Sequence, residues 1–240
     1  PGRSSRRRVL KPDDIALVDL GWGATYRLVP SRFPPIGLFE RVADPRDLDV
    51  VFAIEALTNP RLRQEAGEIS LVPPDERMSG PGSSPIMAAF THLNPNGSRF
   101  SDGRYGVYYA ARSLKTAVRE VGHHQARFLA ATGEQAISVD LRCYRSLVRQ
   151  PLHDLRGLRD RLGEVYASDD YSASQRLGAA LRAARSWGVA YDSVRDAGGE
   201  CVGIFRPRAL APAVQGQHVT LLWNGRQIES WYVKSELHRW

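Results

Sequence analysis

The chain has 240 residues, of which 42% are hydrophobic and 25% are charged, as in an ordinary globular protein with its own core. No apolar run approaches the roughly 20 residues of a membrane span, and the Arg-rich start lacks the apolar stretch of a secretory signal. These features argue against membrane and secreted classes, so we expect a cytoplasmic protein without membrane contact. Cys143 and Cys201 are then expected to be reduced structural thiols.

The charge balance is basic. The net charge is +7, and only three of the 33 basic residues are Lys. Guanidinium groups bind phosphates and carboxylates bidentately. The excess therefore suits a phosphate-bearing ligand, a nucleic acid or an acidic protein, and charge alone does not choose among them.

The first half of the chain begins with a predicted flexible basic arm, residues 1–14, ahead of one domain over residues 15–240. Residues 25–29 predict a short strand, and residues 46–63 predict a helix. Residues 60–97 are rich in Gly and Pro and predict a long loop with a short helical piece near residues 86–90. Loops of this length are usually functional or disordered, so we interpret it as a candidate lid or partner-binding segment.

The second half alternates strands with helices. Ser113 is predicted to cap a helix that runs to about Ala131, and the box Ser172-Ala173-Ser174-Gln175 to begin another, which Gly188 ends. Residues 147–166 predict a further helix. The predicted strands are residues 106–111, 135–141, 189–191 and 201–205, followed by a β-hairpin over 219–223 and 227–233 around Asn224-Gly225. Without a strict βαβ rhythm, this order favours a single α+β domain with a mixed or antiparallel sheet and flanking helices.

Familiar catalytic and metal signatures are absent. The chain contains no GxGxxG after a strand, no GxxxxGK[ST], no HExxH and no GxSxG. His123 and His124 are neighbours, about 100° apart on a helix, and so do not share a face as a metal-binding pair would. We therefore expect no metal site.

Several polar and aromatic residues stand where strands meet loops or helices. Tyr26-Arg27 lies near the end of an early strand, and Arg99 at the end of the long loop. Each Arg has an ordinary alternative, a surface salt bridge of little energetic weight, but two guanidinium forks can also clamp a pyrophosphate. Tyr109 is either packed in the core or a stacking platform for a nicotinamide or adenine ring.

Glu120 is the strongest candidate for a catalytic carboxylate. It lies one helical turn after Thr116 and beside apolar positions, at the edge of the predicted buried face. The ordinary alternative is an exposed Glu that pairs with Arg119 or His124. In a cleft, the same carboxylate would stabilise positive charge on a sugar as a glycosidic bond breaks. Ser193 alone gives almost no indication of function, because a serine in a loop after a strand is common.

Five short motifs in order resemble the RES-domain family, bacterial toxins that are paired with Xre-type helix-turn-helix antitoxins. The family pattern is Tyr-Arg, Gly-x-Arg-[Trp/Phe], Tyr-x-Ala, Thr-Ala-x-x-Glu and Tyr-x-Ser. Here it reads Tyr26-Arg27, Gly97-Ser98-Arg99-Phe100, Tyr109-Ala110-Ala111, Thr116-Ala117-Val118-Arg119-Glu120 and Tyr191-Asp192-Ser193. The doublet Tyr108-Tyr109 makes the tyrosine assignment ambiguous by one position, and spacing favours Tyr109.

The resemblance implies an ADP-ribosyltransferase-like fold that binds NAD as its substrate and cleaves the nicotinamide–ribose bond. Tyr26, Arg27 and Arg99 would hold NAD, Tyr109 would stack on nicotinamide, Glu120 would stabilise the ribosyl cation, and Ser193 would orient the ribose or amide. The partner implied is an Xre-type antitoxin. We favour transfer of ADP-ribose to a protein acceptor over NAD depletion by water or phosphate. The alternative of another class is a basic nucleic-acid-binding protein or ribonuclease-type toxin, for which we identify no stacking motif or catalytic His.

Overall fold

The computed structural model describes residues 11–32, 39–40, 44–45, 48, 50 and 67–234. In these residues the chain forms nine strands and three α-helices. The strands are β1 (Leu17–Val18), β2 (Thr25–Pro30), β3 (Tyr108–Ala111), β4 (Ile137–Ser146), β5 (Leu152–Asp154), β6 (Gly188–Asp192), β7 (Glu200–Ile204), β8 (Val214–Trp223) and β9 (Ile228–Val233). The helices are α1 (Ser84–Thr91), α2 (Leu114–Ala131) and α3 (Ser172–Ala183).

All nine strands belong to one sheet, in the order β1-β5-β6-β7-β3-β2-β4-β8-β9. Only the β5–β6 pair is parallel, and the remaining neighbours are antiparallel. This arrangement confirms the predicted α+β class with a mixed sheet. It also places β3, which contains Tyr109, and β7, which follows Ser193, in the middle of the sheet.

Apolar side chains cover both faces of the sheet. The first core cluster includes Ile86, Met87 and Tyr108, and the second includes Phe100 and Tyr191. Because successive strand residues point to opposite faces, Tyr108 lies in the first cluster while Tyr109 packs against the second. The tyrosine doublet is therefore divided between the two faces of β3.

Strands β2 and β3 are joined at one end only. Their register contains a single pair, Tyr26 with Ala111, whereas β2 pairs with β4 along residues 25–30. The rest of β3 therefore faces β2 across a gap in the ladder. Arg27 lies in this gap and donates from Nη1 to the carbonyl oxygen of Tyr109 at 3.2 Å, which satisfies a strand acceptor that β2 leaves unpaired.

Helix α2 begins as predicted. The Ser113 hydroxyl accepts a hydrogen bond from the Thr116 amide at 3.1 Å, and the helix runs to Ala131. The cap satisfies one of the amides that a helix start leaves free. A buried face of this helix (Ala117, Val118) packs onto the second core cluster, which sets the orientation of Glu120 beside it.

The prediction of a helix over residues 147–166 is wrong. Residues 152–154 form β5, parallel to β6, and the Leu155 amide donates to the Ala190 carbonyl at 2.8 Å. Residues 158–167 form hydrogen-bonded turns. The apolar spacing of this segment is compatible with a helix, but pairing with a distant strand supplies the hydrogen bonds instead.

The prediction that Ser172-Ala173-Ser174-Gln175 forms a capping box at the start of α3 is also wrong. Ser172 is the first helical residue, and its side chain makes no capping hydrogen bond. Gln175 instead donates from Nε2 to the carbonyl oxygens of Ser98 and Ser101, at 3.1 and 3.3 Å. Nor does Gly188 end the helix, because α3 stops at Ala183 and Gly188 begins β6, where a Cβ would lie 2.5 Å from the Gly203 carbonyl.

The remaining strand predictions are confirmed with shifted bounds. The hairpin of β8 and β9 is present, but Trp223 pairs with Ile228, so four residues connect the strands in place of a two-residue turn. The Asn224 side chain accepts from the amides of Arg226 and Gln227 at 3.0 Å, which stabilises the longer connection.

Part of the first-half predictions lies outside the described residues: positions 1–10 of the predicted arm, most of the helix at 46–63, and positions 60–66 of the long loop. The described part of that loop contains two short 3₁₀ turns and helix α1. Its apolar residues Val72, Ile86 and Met87 are buried in the first core cluster. These buried residues anchor the segment to the core, and its interpretation as a lid or partner-binding segment stays a prediction. Within the described ranges, no helix has both the length and the apolarity that a bilayer crossing requires.

Candidate active site

Glu120 and Ser193 meet on the face of the sheet that carries the second core cluster. Glu120 is half-buried on α2, and Ser193, which follows β6, is 3% exposed. The Ser193 hydroxyl donates to Glu120 Oε1 at 2.5 Å and accepts from the amides of Arg195 and Asp196, at 3.1 and 2.9 Å. Since a hydroxyl has one hydrogen, both amides orient it towards the carboxylate, so Glu120 accepts a charge-assisted hydrogen bond.

Arg99, on the turn of residues 98–101, shares an electrostatic environment with this pair, because Arg99 and Glu120 both act on Tyr191 and Cys201. It is 8% exposed, and its Nη1 donates to the carbonyl oxygens of Val165 and Ala167 at 3.0 Å each. Its guanidinium also lies 4.7 Å from the ring centroid of Tyr171, a cation–π distance. These contacts hold the Arg99 guanidinium in a fixed position within the core.

Tyr109 holds the same turn from the sheet side. Its hydroxyl is 2.9 Å from Ser98 Oγ and accepts from the Phe100 amide at 2.9 Å. Burial raises the pKa of Tyr109 well above its ordinary value, so the ring remains a neutral phenol. Tyr108 is fully buried on the other face and its hydroxyl has no hydrogen-bond partner among the described residues. Of the two rings, Tyr109 is the one on the face of Glu120.

Tyr191 and Cys201 complete the cluster, although sequence reasoning gave neither a role in the site. The Tyr191 ring packs edge-on against Phe100 at 5.1 Å. Burial raises the pKa of the Tyr191 hydroxyl, and the nearby Cys201 and Glu120 add to this shift while Arg99 opposes it. Burial likewise raises the pKa of the Cys201 thiol, which also interacts with Glu120 and Arg99. These couplings show that the groups share one electrostatic environment.

The sequence carried a signal for one of the two. Tyr191 stands in the Tyr191-Asp192-Ser193 motif, two residues before Ser193 and on the same side of the chain. Cys201 lies opposite Tyr191 in the register of β6 and β7, and opposite Ala111 in that of β3 and β7. Nothing local to Cys201 indicates this position, because it depends on the pairing of three strands.

Arg27 is placed apart from this cluster, whereas Tyr26 lies on the same face of the sheet as the cluster. The Arg27 guanidinium lies 4.7 Å from the ring centroid of Tyr108, in the first core cluster, and burial lowers its pKa. Its Nε has no hydrogen-bond partner among the described residues. Tyr26 packs against the second cluster, with the Arg145 guanidinium 5.6 Å from its ring centroid.

The two candidate guanidinium groups therefore do not form one paired fork. Arg27 contacts β3 at Tyr108, whereas Arg99 interacts electrostatically with Tyr109, and these two tyrosines point to opposite faces of the strand. Joint binding of a pyrophosphate by Arg27 and Arg99 stays a prediction. A ligand that touches both must reach the gap between β2 and β3.

Basic and imidazole groups surround the carboxylate on α2. Burial lowers the pKa of His123 and of His124, and the charge of Arg195 lowers both further, whereas Glu120 raises both. The His123 and His124 rings are 5.5 Å apart and nearly perpendicular. In the part of the chain that the structure describes, no three His, Cys, Asp or Glu side chains are grouped so as to hold a metal ion.

Chemically, the arrangement combines an oriented carboxylate, a fixed guanidinium and two neutral tyrosines on one face of the sheet. A carboxylate in such a setting stabilises positive charge that develops on a bound sugar. The guanidinium and the phenol rings supply the complementary contacts for anionic and planar parts of a ligand.

Comparison with known proteins identifies the family to which the chain that carries these motifs belongs. The model of the RES domain matches residues 75–224. The uncharacterized protein y4oC of Sinorhizobium fredii (strain NBRC 101917 / NGR234) is 29% identical over 223 residues, which cover 92% of this chain and 90% of that protein. The crystal structure of the M. tuberculosis MbcT–MbcA toxin–antitoxin complex aligns with a TM-score of 0.39 and 18% identity, over 53% of this chain and 73% of the matched chain. Because the family match spans more than half of the 240 residues, this chain belongs to the RES domain family.

Proposed function

We propose that this protein is the toxin of a bacterial toxin–antitoxin pair, which cleaves the nicotinamide–ribose bond of NAD and transfers ADP-ribose to a protein. Membership in the RES domain family supports NAD as the substrate. The observation that carries the proposal is the Glu120 carboxylate, which accepts a hydrogen bond from the Ser193 hydroxyl at 2.5 Å and acts on Tyr191 and Cys201 together with the buried Arg99. A mono-ADP-ribosyltransferase requires such a carboxylate next to an anion-binding group.

In the reaction, the C–N bond between ribose and nicotinamide breaks, and its electron pair leaves with nicotinamide as a neutral molecule. Positive charge then develops on the ribose carbon, and the Glu120 carboxylate stabilises it. A nucleophile of the acceptor forms the new bond to that carbon and loses its proton. Ser193 keeps the carboxylate in place and through it orients the ribose or the nicotinamide amide.

The remaining candidate residues have separate tasks. Arg99 contacts the NAD phosphates or ribose from the second core side, and Arg27 reaches NAD through the gap between β2 and β3. Tyr109, whose ring packs on the same face as Glu120, stacks on nicotinamide. Tyr26, at the joined end of β2 and β3, lines the NAD site. No metal is required for these steps.

The acceptor and the partner are the finer parts of the proposal. Arg127 lies seven residues after Glu120 on α2, hence on the same face, and its side chain is 60% exposed and lies 3.5 Å from the exposed Asp169 carboxylate. Exposed Arg119 adds to this basic rim, which suits an acidic patch on an acceptor protein. An Xre-type antitoxin follows from the family resemblance, and we propose that it covers the site.

The test compares two Glu→Gln variants of the full chain. We incubate the protein with NAD and measure free nicotinamide, with Glu134→Gln as control because Glu134 is exposed just after the same helix. Loss of an electrostatic transition-state contact costs about 10²–10³-fold in kcat. We expect this loss in Glu120→Gln and none in the control; equal activity of both variants would refute the role of Glu120.

A second measurement distinguishes the acceptors. Mass spectrometry of cell proteins after expression detects added ADP-ribose if the acceptor is a protein. Free ADP-ribose without protein modification would instead identify an NAD glycohydrolase, and a phosphorylated ADP-ribose product would identify a phosphorylase. Salt-sensitive binding of nucleic acid without nicotinamide release would favour the nucleic-acid alternative.

A further inference from the structure

Ser193 belongs to a tight loop that joins β6 and β7. The loop, residues 193–199, is closed by the Ser193 amide, which donates to the Gly199 carbonyl at 2.8 Å, and by the Gly199 amide, which donates to the Asp196 carbonyl at 2.9 Å. Inside the loop, the Asp196 amide donates to the Ser193 hydroxyl. The position of Ser193 therefore depends on where Asp196 is held.

Asp196 is held by helix α2. The buried Thr116 hydroxyl donates to Asp196 Oδ2 at 2.8 Å, and Lys115 Nζ lies 3.7 Å from Asp196 Oδ1. Ser113 Oγ is 2.8 Å from Thr116 Oγ1. Because the Thr116 hydrogen points to Asp196, Ser113 is the donor between the two hydroxyls, which orients Thr116 further.

The helix thus contacts the loop twice on one face. Thr116 is four residues before Glu120, so the two side chains project from the same face, one turn apart. Thr116 binds Asp196, and Glu120 binds Ser193. From this geometry we infer that Thr116 and Asp196 are positioning residues, a pair that holds Ser193 against Glu120. The inference rests on the proposed role of Glu120 in NAD cleavage.

Gly199 allows the close approach of the loop to the helix. A Cβ at this position would lie 2.7 Å from Thr116 Cγ2 and 2.8 Å from Thr116 Oγ1, both well inside van der Waals contact. Any other residue would push the loop away from Thr116 and lengthen the Thr116–Asp196 hydrogen bond. Thr116, four residues before Glu120, and Gly199, 79 positions after Glu120 in the chain, therefore both serve the Thr116–Asp196 contact.

The test uses Thr→Val substitutions, which replace the hydroxyl by a methyl group of similar size. Thr116→Val removes the bond to Asp196, and Thr132→Val is the control because the Thr132 hydroxyl binds the Phe128 carbonyl beyond the other end of the same helix. A misplacement of about 1 Å costs up to roughly 100-fold in rate. We expect kcat for nicotinamide release to fall about 10-fold or more in Thr116→Val, with KM for NAD nearly unchanged. Thr116→Ser should restore kcat, and the control should match the unaltered chain.

A double-mutant cycle and an exchange measurement complete the experiment. If the pair acts as one unit, Thr116→Val and Asp196→Ala together should lose no more kcat than either alone. Amide hydrogen exchange at Arg195 and Asp196, whose amides bind Ser193 Oγ, should accelerate in Thr116→Val and stay unchanged in Thr132→Val.

The outcomes separate the inference from the proposed function. Multiplicative losses in the double variant, or unchanged exchange at Arg195 and Asp196 in Thr116→Val, would overturn the positioning role. Exchange does not require turnover, so it decides this role even if the unaltered chain cleaves no NAD. An unaltered chain that cleaves no NAD would refute the proposed function and leave the positioning role to the exchange measurement.

Discussion

Ser193→Ala removes the hydroxyl through which the loop after β6 contacts Glu120. The side chain makes three hydrogen bonds, one to the carboxylate and two from backbone amides. A hydrogen bond to a charged group contributes about 1.5–3 kcal/mol and a neutral one about 1 kcal/mol. Their sum is an upper bound because water can solvate the half-buried Glu120 in the variant. We therefore expect a loss of about 3 kcal/mol in the free energy of unfolding.

The assay is thermal unfolding followed by circular dichroism. For a chain of this size, 1 kcal/mol shifts Tm by about 2–4 °C, so Ser193→Ala should lower Tm by about 6–12 °C. The control is Ser172→Ala, because Ser172 is exposed at the first position of α3 and its side chain interacts with the equally exposed Asp170. It should change the free energy of unfolding by no more than about 0.5 kcal/mol.

Activity provides the second readout of the same variant. Without the hydroxyl, Glu120 loses its orienting donor, so kcat for nicotinamide release should fall at temperatures where Ser193→Ala is fully folded. A Tm equal to that of Ser172→Ala would refute the three hydrogen bonds as drawn from the structure. A lowered Tm with unaltered kcat would refute the orienting role of Ser193 and leave its structural role intact.

Three further predictions follow from other contacts. Tyr109→Phe leaves the Phe100 amide without its partner and should lower the free energy of unfolding by about 1–3 kcal/mol. Tyr108→Phe removes a buried hydroxyl without a partner among the described residues and should be neutral or stabilising. Urea unfolding compares the two variants, and equal losses would contradict the prediction. Gly178→Ala should unfold or strongly destabilise the protein, because its Cβ would lie 2.2 Å from the Phe100 carbonyl oxygen. Gly163→Ala is the control, because the nearest atom to its Cβ would lie 3.9 Å away. Tm should fall strongly in the first variant and stay nearly unchanged in the second. Partial burial lowers the pKa of His123 in the folded state, so the unfolded state takes up protons first as pH falls below about 6.5. Tm should therefore drop between pH 7 and pH 5.5, and less steeply in His123→Gln. Parallel curves of Tm against pH for the two proteins would count against this reasoning.

Two elements with local signals agree with the sequence prediction, although the equally local capping box at Ser172 does not. The Ser113 cap is an example, since the hydroxyl binds an amide only three residues away. The hairpin of β8 and β9 is another, although its connection is longer than Asn224-Gly225 suggested. The helix predicted at 147–166 failed because β5 obtains its hydrogen bonds from β6, more than 30 residues away in the chain.

The candidate site divides in the same way. The residue types Arg99, Glu120 and Ser193 were recognisable from short motifs, but the hydrogen bond between Ser193 and Glu120 joins positions 73 residues apart. Gln175 resembled a capping residue, yet it binds the turn that carries Arg99. The spacing of motifs did not indicate that Arg27 would pack on the opposite face of β3 from Tyr109.

The amino-acid sequence by itself determined the residue types, the α+β class and most helix starts, strands and turns, because capping, turn chemistry and apolar periodicity act over a few residues. The tertiary structure alone decided which of those residues meet. Strand register placed Cys201 beside Tyr191, and the packing of α2 aimed Glu120 at Ser193. Such contacts depend on interactions between segments far apart in the chain, which local patterns do not encode.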